Sequence, residues 1–178
     1  MSQPLVSFLG VKGLPVVARA EGGYVGKLDD VLVRIEDISA IGYKLRAPGF
    51  WGGARGVVAA AVERLGRDYV IVRDEASVEA AGDSRGSFDD RVWWSDWVGS
   101  KCISRRGVEL GKLSDLVMEA AGGRVCAFVL DGGRVVVPGP RCAVGPDSVI
   151  VDDESVIVKL ADAEDSPGWW SAVEAQIG

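Results

Sequence analysis

The chain has 178 residues, a net charge of −6, 48% hydrophobic and 26% charged residues, and no histidine, asparagine or threonine. Such a composition belongs to a folded chain, long enough for one ordinary domain or two small ones, and excludes a disordered or collagen-like one. Without histidine there is no Ser-His-Asp triad, no Cys-His pair, no HExxH zinc site and no imidazole proton shuttle. A pI near 4.8 argues against DNA and against a general nucleic-acid binder, which needs a basic footprint.

Leu5-Val6-Ser7-Phe8-Leu9 opens the chain as an apolar run, and Ala18-Arg19-Ala20 mimics a cleavage site. No basic residue precedes the run and Lys12 breaks it, so a signal peptide is not expected. No stretch of 18 apolar residues occurs, so no membrane-spanning segment is expected, and a cytoplasmic location is the default. Cys102, Cys126 and Cys142 are spaced by 24 and 16 residues. These spacings match neither a CxxC motif nor a metal knuckle, and apolar neighbours suggest buried thiols in a reducing compartment. No metal or cofactor is expected. Lys27 and Lys112 follow glycines, but no phosphate-binding glycine motif surrounds them. The adjacent acids Asp29 and Asp30 lack convergent partners for a metal or general-base site.

Self-similarity organises the rest. Gly26-Lys27-Leu28-Asp29-Asp30-Val31 matches Gly111-Lys112-Leu113-Ser114-Asp115-Leu116 at an offset of 85, and residues 66–74 match 145–153 at an offset of 79. The first copy therefore carries about six extra residues, placed at Arg46–Gly53, which include Phe50 and Trp51. The pattern within each copy is β-structure. In the second, strands are expected at Ser100–Ile103, Leu113–Glu119, Val125–Leu130, Arg134–Val137 and Val149–Val151, with turns at Arg105-Arg106-Gly107 and Asp131-Gly132-Gly133. Leu113, Asp115 and Val117 are expected on one face, and Ser114, Leu116 and Met118 on the other. Val57–Leu65 has helical propensity, but its counterpart holds Pro138 and Pro140, so Val57–Ala59 is read as a strand followed by a turn. Gly26 and Gly111 are assigned to a tight turn or bulge, and the aspartate that follows is expected to bond nearby backbone N–H groups.

Short strands in such units are best closed into small barrels, which hide their edges. The expected fold is all-β, with two small barrels in tandem: residues 1–80, a linker at 81–92, residues 93–165, and a tail or short helix at 166–178 beginning at Pro167 behind Ser166. The stretch from Asp147 onward carries eight acidic groups against Lys159 alone and reads as a solvated acidic tail or a docking tail for a basic partner.

Trp97–Ile103, Gly107–Leu116, Arg134–Pro138 and Val149–Val151 together resemble the PRC-barrel domain, found in the H subunit of the photosynthetic reaction centre and at the C-terminus of the ribosome-maturation factor RimM. The first copy resembles it at Val25–Val33 and Asp68–Val72. Residues 88–99 resemble the aromatic lead-in to the RimM barrel, which in that family is associated with docking to a small-subunit ribosomal protein. The resemblance implies two PRC-type barrels and a non-catalytic binding or assembly role toward a protein partner. A RimM-like factor binding a ribosomal protein or rRNA is the alternative, and a small-molecule or metal-dependent enzyme has little support.

Six tryptophans fall in three clusters: Trp51 beside Phe50; Trp93, Trp94 and Trp97; and Trp169 with Trp170. They are partner-binding candidates, because tryptophan is costly to leave wet and is enriched at interfaces. The competing reading is that they cement one barrel to the other or plug barrel ends. Adjacent Trp93 and Trp94 would point to opposite faces of a strand. Exposed clusters and strand edges also admit a homodimer. Lys101, Arg105, Arg106 and Lys112 form the compact basic group, either a solvated turn or a contact for an anionic partner.

Overall fold

Runs rich in valine, broken by glycine turns, fold in the computed structural model into strands and a few single turns of helix. The structure describes residues 4–49, 53–80, 90–139 and 141–152, and the backbone of 156–159. The fold is all-β. Strands β2 (Pro15–Ala18), β3 (Tyr24–Arg34), β4 (Ser39–Arg46), β5 (Ala54–Val58), β6 (Val62–Leu65), β7 (Val70–Val72) and β8 (Val78–Ala80) pair in the order β6-β7-β2-β3-β4-β5-β8. Strands β10 (Lys101–Ser104), β11 (Glu109–Glu119), β12 (Val125–Leu130), β13 (Arg134–Val136), β14 (Ala143–Val144), β15 (Ser148–Val151) and β16 (Val156–Lys159) pair as β14-β15-β10-β11-β12-β13-β16. The two orders are the same. Each has one parallel contact, β2 with β7 and β10 with β15, inside an otherwise antiparallel ladder.

The remaining two strands cross over. β1 (Leu5–Ser7) does not join the sheet it leads into; it pairs with β11, placing Leu5 opposite Glu119 and Ser7 opposite Val117. β9 (Arg91–Trp93) pairs with β3, placing Trp93 opposite Leu32 and Arg91 opposite Arg34. Each strand is followed at once by a four-residue helix, α1 (Phe8–Val11) or α2 (Trp94–Trp97), which leads into the other sheet. Residues 91 and 92, expected in a linker, are thus part of the first sheet. The two hydrogen-bonded paths end at β6 and β8 and at β14 and β16. Two multi-stranded sheets of this order are consistent with the expected pair of small barrels, each of which takes in one strand from the other half.

A single apolar core runs through both sheets. It takes in Val16, Leu28, Val31, Tyr43, Leu45 and Val72 from the first, Cys102, Leu113, Leu116, Phe128 and Val149 from the second, and Phe8, Trp94 and Trp97 from the connecting helices. Backbone bonds tie the sheets where the β3–β4 hairpin meets the end of β11: Ala40 N–H to the Gly123 carbonyl at 2.7 Å and Val125 N–H to the Ile38 carbonyl at 3.2 Å. The buried Tyr43 hydroxyl donates to the Gly122 carbonyl at 2.7 Å.

The alanine stretch forms no helix beyond a single 3-10 turn at Ala59–Ala61, between β5 and β6. Strict alternation on β11 also fails. The ladder slips between Leu113 and Asp115, so Leu113, Leu116 and Met118 enter the large core and Val117 faces a separate apolar cluster. A bulge adds one residue and reverses the side-chain phase beyond it. Gly26 and Gly111 precede these slips with φ of 142° and 147°. A Cβ on Gly26 would lie 2.5 Å from the Arg46 carbonyl oxygen, and one on Gly111 would lie 2.8 Å from Asp131 Oδ1.

Gly26→Ala and Gly111→Ala should each cost about 2–4 kcal/mol in denaturant unfolding, because strain and close contact combine. Gly13→Ala, also at positive φ but with open space around it, should cost about 1–2 kcal/mol. Equal losses at all three positions would show that contact with the neighbouring strand is irrelevant.

Candidate interaction surfaces

The crossing strands are locked by two aspartates. Asp30 lies at the β3 slip and is 5% exposed; Asp115 lies at the β11 slip and is 9% exposed. Asp30 Oδ1 accepts from its neighbour Val31 N–H at 2.9 Å and from Ser95 N–H in α2 at 3.2 Å. Asp115 Oδ1 accepts from Leu116 N–H at 2.7 Å and from Leu9 N–H in α1 at 3.0 Å, and its Oδ2 accepts from the Ser7 hydroxyl. Each carboxylate therefore caps the helix that the opposite half of the chain sends across. The expected local backbone bonds are present; the bonds across the chain had no motif to announce them. The one available signal was alignment of residues 5–13 with 91–99, where Val6 and Gly13 fall on Val92 and Gly99.

Burial holds both carboxyl groups above the ordinary range, against the pull of these hydrogen bonds. A raised folded pKa favours the neutral form. The stability it contributes is complete below the unfolded pKa and is lost as pH rises through the folded one. Asparagine keeps the acceptor oxygen without the charge. Asp30→Asn and Asp115→Asn should therefore gain stability relative to wild type as pH is raised through the acid range, reaching a plateau by neutrality. Asp115→Ala, which strands the Leu9 N–H and the Ser7 hydroxyl, should lose about 1–3 kcal/mol. Unfolding curves across pH test both, and parallel wild-type and Asn curves would refute the linkage.

The structure separates the tryptophan candidates. Trp94 and Trp97 are 2% and 0% exposed. Phe8, Trp94, Trp97 and Phe128 form a chain of edge-to-face contacts, with successive ring centroids 6.3, 6.3 and 5.2 Å apart. These two tryptophans are the cement between the sheets and offer nothing to a partner. Trp93 faces the other way and is half-buried, with Lys44 Nζ 5.9 Å from its ring centroid. Phe50, Trp51, Trp169 and Trp170 lie outside the described residues.

Trp93 lines an open cleft of about 640 Å³ on the first sheet. Its floor includes Leu32, Ile41, Gly42 and Val58, and Val58 is 60% exposed. Arg73, Glu79 and Arg91 also line it. The arginines are paired with Asp74 at 3.1 Å and Asp90 at 2.7 Å, so the wall offers mixed charge around an apolar floor. Sequence reasoning singled out Trp93 but missed the cleft, whose lining comes from β3, β4, β5, β8 and β9.

The basic group is only partly assembled. Lys101 and Lys112 stand opposite one another on β10 and β11. Lys101 pairs with Glu109 at 3.7 Å and Arg105 with Asp152 at 3.6 Å, while Arg106 sits in the intervening turn. Acidic neighbours thus answer part of this charge. The three cysteines are free thiols. Burial pushes Cys102 and Cys126 up to about 11 and Cys142 up to about 12, which keeps them protonated and weakly nucleophilic near neutrality. Among the described residues, no three metal-ligating side chains converge, and no helix is long and apolar enough to cross a membrane.

The second sheet, together with β9 and α2 ahead of it, now has a family to be set against. Residues 89–160 match the PRC-barrel domain model. The match begins at the aromatic lead-in and runs to the residue after β16. The matched stretch thus covers the second sheet and the crossing strand that this half sends out, but not β1, which the second sheet receives. No curated protein matches the chain.

Proposed function

We propose that the protein is a non-catalytic assembly module that holds a protein partner in the Trp93 cleft. A PRC-barrel match suggests a binding or assembly role, and a fold by itself does not define one. The observation that carries the reading is the cleft: a large, open, apolar-floored surface edged by an aromatic ring and fixed charges, on the face of the first sheet turned away from the core. Such a surface suits an extended or helical peptide with a few large apolar side chains, since aromatic anchors in desolvated pockets dominate binding energy. Charge pairs on the wall would set register more than affinity.

Affinity capture with the tagged 178-residue chain, followed by mass spectrometry, tests this. A partner bound in the cleft should be lost at least tenfold with Trp93→Ala and with Val58→Glu, and retained with Tyr69→Ala, an exposed aromatic outside the cleft. Equal retention by all three variants would remove the cleft from the function. Recovery of small-subunit ribosomal proteins, sensitive to the same two substitutions, would identify the partner class as that of a RimM-like factor.

A further inference from the structure

Two glycines lie mid-strand in the floor of the Trp93 cleft. Gly42 on β4 stands between Leu32 and Val58, and Gly56 on β5 stands between Lys44 and Glu79. Glycine inside a strand weakens the sheet, so it belongs where the backbone requires it or where another molecule comes close. The backbone makes no such demand here. Neither residue takes positive φ, and a Cβ on Gly42 would meet the Val57 carbonyl oxygen at 3.5 Å, an ordinary contact. In the second sheet the corresponding pairs are Val117–Ala127 and Val129–Val135, so the same ladder accepts a side chain at both positions. The first sheet has a trough where the second is filled.

Lys44 borders this trough. It lies two residues from Gly42 along β4, a step of about 7 Å. The residue is half-buried, and its ammonium is 5.9 Å from the Trp93 ring centroid. Among the described residues no carboxylate pairs with it. The arginines of the wall differ, since Arg73 already holds Asp74 and Arg91 already holds Asp90. Glu79, exposed on the far side of Gly56, repels a carboxylate placed there and directs it to Lys44.

Taking the cleft as the partner site, we propose that its occupant is an extended peptide that lays an aromatic ring over Gly42 and Gly56 and sets a carboxylate, two residues away, on Lys44. An aromatic ring covers strand glycines well, because no Cβ holds it off the backbone. Lying beside Trp93, the ring gains an aromatic neighbour. An extended chain presents alternate side chains to one face at the same spacing as β4, so one register satisfies both contacts. A helix, about 10 Å across with its side chains, spans such a trough instead of entering it.

The test pans a phage-displayed random-peptide library on the 178-residue chain and titrates the selected peptides against variants by fluorescence anisotropy. Peptides lost with Trp93→Ala should carry an aromatic residue and an Asp or Glu two positions apart. Gly42→Ala combined with Gly56→Val should weaken them at least tenfold while the melting temperature holds or rises, since better strand formers replace glycine. Lys44→Glu should weaken them as much, and changing the peptide's acid to lysine should restore binding. If no selected peptide depends on Trp93, the cleft reading fails and this proposal with it. If Trp93-dependent peptides bind the glycine and Lys44 variants as tightly as wild type, the cleft stands and the proposal is overturned. Should the glycine variant melt lower, the charge exchange at Lys44 decides, because Val129 at the corresponding position shows that the ladder does not need lysine there.

Discussion

Neither half of this chain is complete without a strand from the other. β11 has β10 along only part of one edge, and β1 arrives from the far end of the sequence to take up the rest; β3 stands in the same relation to β2 and β9. A strand of three residues is too short to hold by its ladder alone. It is retained by the turn of helix at its C-terminal end, which is capped by a buried carboxylate of the sheet the chain has just left. Burying a carboxylate is costly unless its oxygens are answered by donors. The crossing segments supply those donors, and so Asp30 and Asp115 tie folding of each half to delivery of the other.

The aromatic chain from Phe8 to Phe128 arises from the same exchange. Crossing strands bring both helices to the middle of the molecule, where large rings fill the volume between two curved sheets more readily than aliphatic side chains do. One core then spans what the sequence repeats as two units. Two barrels that each kept their own edge strand would meet across an ordinary interface and move relative to one another. Here an interior joins them, backed by the Tyr43 bond to Gly122 and by the hairpin contacts beside it.

With the inside committed to holding the halves together, differences between them fall on the outside. The same sheet positions carry glycine and lysine in one half and valine and alanine in the other. A strand tolerates either set, because the ladder is made by the backbone and the core by the opposite face. The outer face is thus where two similar sheets acquire different surfaces without disturbing the fold.

Much of the β-structure could be read in advance. Val125–Leu130 coincides with its strand, Asp131-Gly132-Gly133 and Arg105-Arg106-Gly107 are turns, and the counterpart prolines correctly argued against a regular helix through Val57–Leu65, where β5, one 3-10 turn and β6 follow one another. These features are local, set by β-branched runs and by glycines that accept positive φ. The bulges at Asp30 and Asp115 were half legible: glycine at 26 and 111 announced a distortion, but its effect on the phase of the strand depends on the register with β4 and β12. The destination of β1 and β9 was not legible at all. A three-residue strand has the same pattern whichever edge it joins, and the choice is made by a carboxylate 108 or 65 residues away. The separation of Trp93 from Trp94 and Trp97 has the same origin. The sequence by itself determined the elements, the turns and the presence of two similar units; which edges, cores and surfaces those units share was decided only when distant donors met a buried acceptor.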